Sequence, residues 1–256
     1  MIKKRIIGCV IVKDGLAVQS HAFHKYLPIG NPGISIENLN RWGADEILIL
    51  SIDRSRGNLG PDFELLKKIS QLRISTPIVY GGGIRNIEDA INVIKYGADR
   101  LCLDSLFNGN RDIVTEIAVA LGSQAVIISL PVQIINNLYQ RVDYKSKAQF
   151  GILTEDLAFF KNGIVSEVLL IDYLHEGLKQ GFQYEIVEKF PCKDISLIAF
   201  GGISESSQFE QLFSNPQVSA IGVGNFLSFH EHAIQSIKEK LIHHRVRLPF
   251  YQGDSH

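Results

Sequence analysis

Runs of apolar residues of strand length recur along the chain and alternate with stretches of helical periodicity. The strand candidates are Ile6–Val12, Glu46–Ile52, Pro77–Tyr80, Arg100–Leu103, Ala125–Leu130, Glu167–Ile171, Ser196–Phe200 and Ser219–Val223. They are apolar almost without interruption, as strands covered on both faces are. Helix ends are legible between them. Asn31-Pro32 supplies a cap and a first-turn proline ahead of Ile36, Leu39 and Trp42, and Gly43 follows as a stop. Pro61 opens a segment with Leu65, Leu66, Ile69 and Leu72 on one face. Asn86 caps Ile87, Ala90, Ile91 and Ile94 ahead of Gly97. Ile113, Ile117, Ala120 and Leu121 mark another helix, and Phe209, Leu212 and Phe213 keep the spacing late in the chain. Eight strand–helix units predict an α/β fold, a closed (β/α)8 TIM barrel. An open doubly wound sheet fits less well, because no Gly-x-Gly-x-x-Gly follows the first strand. The polar stretch 132–151 reads as an elaborated loop after strand five, with room for a short hairpin.

Length agrees with this: 256 residues against about 250 for a typical TIM barrel, taken here as a single domain over 1–256. The net charge is −1, with acids and bases interleaved, so neither nucleic acid nor a membrane is indicated as a partner. Cys9, Cys102 and Cys192 are scattered, which suggests a reducing compartment and no disulfide framework. Cys9 and Cys102 fall in strands and read as small core residues. Met1-Ile2-Lys3-Lys4-Arg5 starts like a signal segment, but Lys13-Asp14-Gly15 ends the apolar run early. A cytoplasmic protein is the expectation.

The chain repeats itself at about half its length. Glu46-Ile47-Leu48-Ile49 returns as Glu167-Val168-Leu169-Leu170, and the run ending Gly81-Gly82-Gly83-Ile84 returns ending Gly201-Gly202-Ile203. A two-fold repeat of half barrels, about 1–121 and 122–245, explains both. In such barrels phosphate sits where strand-end glycines bring backbone N–H groups close to an anion. One candidate site is Gly201, Gly202, Gly224 and Asn225, the other Gly82 and Gly83 with Asp104 and Ser105. Asp104 is discordant there, since a carboxylate repels phosphate unless it faces away or is protonated.

Several motifs occur in an order that resembles the HisF family, the cyclase subunit of imidazole glycerol phosphate synthase, over nearly the whole chain. They are Arg5-Ile6-Ile7-Gly8-Cys9, Val12-Lys13-Asp14-Gly15, Gly81-Gly82-Gly83-Ile84, Gly97-Ala98-Asp99, Gly122-Ser123-Gln124-Ala125-Val126 and Gly201-Gly202. The resemblance implies two phosphate sites, Gly177 adding to the second. It also implies a HisH-like glutaminase docked at the N-terminal face near Asp99, and ammonia passing through the barrel. Arg5, Glu46, Arg100 and Glu167 occupy the positions of the family's charged ammonia gate.

The chain departs from the family at the catalytic positions. Ile11 and Pro131 stand where the resemblance places two aspartates, and neither can transfer a proton. The residues left as replacement acids or bases are Asp53 and Glu176. Asp104 stands where the family has an asparagine. The segment Phe23–Pro32 resembles a HisF-like subgroup that works with a second glutaminase in making amidino sugars for lipopolysaccharide and other surface glycans. The resemblance therefore implies an ammonia-passing subunit of a glutamine amidotransferase, its acceptor a phosphorylated small molecule or a sugar-modifying enzyme. The alternatives are an active cyclase of histidine biosynthesis, a lyase, and a non-catalytic barrel that activates a glutaminase. No cofactor and no metal site are expected, the histidines His21, His24, His175, His230 and His232 forming no ligand spacing.

Overall fold

A computed structural model of the chain describes residues 3–152, 154–179, 181–229, 232–249 and 251. Eight parallel strands close into a ring: β1 (Arg5–Lys13), β4 (Glu46–Ser51), β5 (Ile78–Gly81), β6 (Arg100–Leu103), β7 (Val126–Ile135), β10 (Glu167–Asp172), β11 (Ser196–Phe200) and β12 (Val218–Val223). Each pairs with the next, and β12 returns to β1 with Arg5 opposite Ala220 and Gly8 opposite Val223. The expected barrel is the observed one.

A helix follows every strand of the ring: α1 (Pro32–Arg41), α3 (Phe63–Gln71), α4 (Ile87–Lys95), α6 (Arg111–Leu121), α7 (Thr154–Lys161), α8 (Glu185–Glu188), α9 (Ser206–Ser214) and α10 (Ala233–Lys240). The caps are those the sequence suggests. Asn31 accepts from Gly33 N at 2.8 Å, and Asn86 accepts from Asp89 N at 2.8 Å. The second large helix begins at Phe63 with Asp62 as its cap, two residues later than Pro61 indicates. Two short helices, α2 (Ile52–Arg56) and α5 (Ser105–Gly109), fill the turns after β4 and β6.

Apolar residues on alternate strand positions separate into two cores. The outer one joins strands to helices. The inner one fills the bore with Ile7, Cys9, Ile11, Leu48, Val79, Cys102, Ile127, Leu169 and Ile198, among others. Both cysteines are buried in the bore, and burial pushes their thiols well above the usual range.

Two additions sit on the C-terminal face. A hairpin of β2 (Leu16–His21) and β3 (Lys25–Gly30) extends β1 by antiparallel pairing, in a stretch where no strand is expected from the sequence. After strand five, β7 does not stop at Leu130 but continues through Pro131 to Ile135. There it pairs with β8 (Leu138–Val142) and then β9 (Gln149–Gly151), which gives the expected loop a three-stranded form. Pro131 is tolerated at the point where the strand leaves the ring to enter this sheet. Among the described residues no helix is long and apolar enough to cross a membrane.

Candidate functional site

The C-terminal mouth carries the two positions where a barrel of this kind is expected to hold its acid–base pair. Ile11 is 4% exposed inside the bore, and Pro131 lies opposite Ile171 in register and lines the pocket at the mouth. Their side chains bring only carbon there.

Two glycine cradles flank them. At the first, Gly82 and Gly83 have φ of +131° and +73°; at the second, Gly201 and Gly202 have +109° and +73°. Glycine is required at both by sterics as well as by φ. A Cβ on Gly82 would stand 2.3 Å from Ser51 O, and one on Gly202 would stand 2.7 Å from His175 O. The first cradle opens on a pocket lined by Ser51, Ser55, Asp104, Ser105, Ser129, Tyr144 and apolar residues. The second opens on a pocket of about 280 Å³ that brings together Gly177, Gly201, Gly202, Gly224 and Asn225 with His21 and Lys179.

Asp104 lies at the floor of the first pocket. It accepts from Asn108 Nδ2 at 3.0 Å and faces Ser129 Oγ at 3.4 Å. Burial pushes its carboxyl up to about 7, with the Asp143 carboxylate adding to the rise. Its neutral form is therefore well populated near neutral pH.

Asp53 and Glu176, the candidate replacement acids or bases, both accept hydrogen bonds from the segment that follows β1, and burial pushes the Glu176 carboxyl above its usual range. Asp53 lies in α2 and accepts the N–H of Asp14 at 3.0 Å. Glu176 is 2% exposed and is taken up by the hairpin. It accepts from Ser20 Oγ at 2.8 Å and from Phe23 N at 3.1 Å, and its backbone carbonyl takes the N–H of Ala22. Asn225 exchanges two further hydrogen bonds with Ser20. Hairpin and mouth are thereby tied together, and Phe23 drops into the bore against Tyr173, ring centroids 6.4 Å apart.

A further acid–histidine pair, marked by no motif, lies on the same face. Asp172, ending β10 and fully buried, lies 2.9 Å from His175 Nδ1 and takes the N–H of Gln183 at 2.8 Å. The signal available was an acid and a histidine three residues apart after a strand. Of the other histidines, His230 lies outside the described residues.

At the N-terminal face the four gate candidates come together. Arg5 pairs with Glu46 at 2.6 Å and with Glu167; Arg100 pairs with Glu46 at 3.2 Å and with Glu167 at 2.8 Å. Each charge thus touches two of the opposite sign in a closed, neutral ring. Ser219 also bonds Glu167, and Ser166 Oγ lies 2.7 Å from Arg100. Burial opposes ionisation of Glu167, but the two guanidiniums and Ser219 outweigh it and hold the carboxyl below the usual range. The ring side chains are only 8–14% exposed. Asp99 is exposed beside them and accepts Ile78 N at 2.8 Å. From ring to mouth the bore is lined mainly by hydrocarbon and thiol.

Comparison with known proteins accords with this arrangement. The family model for histidine biosynthesis proteins matches residues 5–235. Imidazole glycerol phosphate synthase subunit HisF of Thermotoga sp. (strain RQ2) is 30% identical over 97% of this chain and 98% of its own length. The subunit of the same name from Staphylococcus aureus (strain JH9) is 31% identical over 93% of this chain and 96% of its own. A protein of Vibrio vulnificus (strain YJ016) named for subunit hisF2 of that synthase is 28% identical over 94% and 89%. The closed barrel, the glycine cradles and this similarity along the full length agree: the chain belongs to the histidine biosynthesis protein family, as a HisF-like barrel subunit.

Proposed function

We propose that this barrel is the ammonia-passing subunit of a glutamine amidotransferase complex. A HisH-like glutaminase docks at the N-terminal face beside Asp99, and ammonia moves through the bore to an acceptor at the C-terminal face. The observation that carries the reading is the four-residue ring set across one end of an apolar bore. A ring paired within itself covers the end of the bore without leaving a buried charge unpaired. Small side-chain excursions of Arg5 or Arg100 open it to a neutral molecule. The relatives' names, subunits of a synthase, favour a chain that works beside a partner.

The acceptor differs from the histidine-pathway precursor in this proposal. A positioned acid or base contributes about 10²–10⁴-fold to a rate, and Ile11 and Pro131 supply neither. Asp53 and Glu176 are committed to backbone and hairpin contacts. Amidination of a surface-polysaccharide sugar by a separate, cytoplasmic enzyme fits a barrel that channels nitrogen without performing cyclisation. Gly201, Gly202, Gly224 and Asn225, with Gly177 and Lys179 at hand, form the anion cradle of the mouth.

The experiment is to pair the chain with a HisH-like glutaminase and follow glutamate release. Stimulation of glutamine hydrolysis, with ammonia appearing at a bound acceptor before it appears in solution, is the expected result. Full activity of the glutaminase without the barrel would refute the proposal, as would turnover of the histidine-pathway precursor at a normal cyclase rate.

A further inference from the structure

The two cradles of the mouth share a backbone form and differ in what faces them. At Gly202 the pocket presents Lys179 and His21, while its carboxylates are occupied elsewhere: Glu176 holds the hairpin, and Glu205 caps α9. At Gly82 the pocket presents Asp104 and the hydroxyls of Ser51, Ser55, Ser129 and Tyr144. The neighbouring guanidiniums are turned away. Arg141 pairs with Asn108 and Asp156, Arg56 with the Tyr144 carbonyl, and Arg85 with Asp89. The N–H of Gly83, which an anion would need, is already donated to Ser55 Oγ at 2.9 Å.

Two further observations point to what enters. Ser51 is 1% exposed, and its hydroxyl faces that of Tyr80. The buried hydroxyl of Ser105 faces that of Tyr144. With Ser55 and Ser129 these hydroxyls line one pocket with groups that each donate and accept a hydrogen bond. Together with Asp104, which accepts when ionised and donates when neutral, they suit groups that both give and take a hydrogen bond.

We propose that the Gly82 cradle takes an uncharged, polyhydroxylated part of a ligand, with Asp104 recognising its hydroxyls and turning anions away. The ligand class is then a sugar or polyol bearing one phosphate or similar anionic group, which goes to the Gly202 cradle. This rests on the reading of Gly202 as the anion cradle given above; the assignment at Gly82 does not depend on ammonia transfer.

The test is an amide NMR titration of the full chain with inorganic phosphate and, separately, with ribitol. At pH 8 most of Asp104 is ionised. The titratable and charged groups around it are Cys102 on its own strand, Arg141 and Asp143 from the side of β8, and Tyr144 above. Phosphate is expected to shift Gly202, Gly224 and Asn225 and to leave Gly82, Gly83 and Ser105 in place. Ribitol is expected to do the reverse. In the near-isosteric Asp104→Asn, phosphate affinity at Gly82–Ser105 rises by at least about tenfold as the repelling charge is removed, and ribitol binding there weakens. Wild-type phosphate shifts at Gly82–Ser105 as strong as those at Gly202 would overturn the proposal, and so would ribitol leaving that cradle unmoved. Absence of any phosphate shift would instead remove the anion reading at Gly202, while the ribitol response still decides the first cradle.

Discussion

Replacing Arg100 with alanine tests the ring most directly. The guanidinium stands 3.2 Å from Glu46 and 2.8 Å from Glu167. At about 3 Å and an effective dielectric constant of about 20, each contact has a Coulomb energy of roughly 5 kcal/mol. Desolvation offsets most of this, because the ring side chains are only 8–14% exposed. What remains on deletion is two buried carboxylates sharing Arg5. Removing one partner of a buried pair costs about 3–5 kcal/mol. Taking about 3 kcal/mol, a domain of this size should lose roughly 6–12 °C in Tm. The acid limb supplies a second readout. Glu167 titrates below its usual value in the folded chain, so it contributes stability that is present above about pH 4.5 and lost as the pH falls through the lower folded value. With Arg100 gone the depression lessens, and the loss of stability below pH 4.5 should be shallower than in wild type. Thermal unfolding between pH 3 and pH 8 measures both effects. In the glutaminase complex the same variant should release more glutamate than aminated product. A Tm within about 2 °C of wild type and an unchanged acid limb would mean that the ring is a set of screened surface pairs, worth at most about 1 kcal/mol.

Asp104→Asn should alter stability in the opposite pH range. Burial raises the folded carboxyl to about 7, so native stability falls as pH rises from about 4 to about 7, and the variant should gain roughly 2–4 kcal/mol on wild type between pH 4 and pH 8 in urea unfolding. Equal pH profiles would place Asp104 in solvent. Cyclisation of the histidine-pathway precursor with ammonium salts should be undetectable, since Ile11 and Pro131 cannot move protons; product formation seen by absorbance would refute this. Glu176→Ala removes two buried acceptor contacts to the hairpin and should expose residues 21–25 to limited proteolysis with the barrel intact, whereas unchanged cleavage would show that Asn225 alone suffices.

The ring of strands was legible because each strand is covered on both faces and so reads as an apolar run, as in Ile6–Val12 and Ser219–Val223. The β2–β3 hairpin was not. Its turn places Ala22 and Phe23 at φ of +51° and +47°, and neither residue announces a turn as glycine or asparagine would. The order Glu176–Ser20–Phe23 that compels it is long-range and invisible to local pattern. The end of β7 was not legible either: the strand candidate stops at Leu130, whereas the strand runs through Pro131 to Ile135, because its continuation pairs outside the ring with β8. Arg5, Glu46, Arg100 and Glu167 were singled out as a set from their strand-start positions, and the structure pairs them; their burial was not legible, because it depends on how the strands converge. Ser166 and Ser219 escaped notice because serine at a strand start carries no distinguishing pattern.

The thiols of the bore have a use that their chemistry alone does not suggest. Cys9 and Cys102 belong to the inner core, and burial holds their thiols well above the usual range, so alkylating reagents react with them slowly until the strands part. Their labelling rate is therefore a clock for barrel breathing. Because Cys9 belongs to β1 and Cys102 to β6, the two positions time the opening of different staves of one cask.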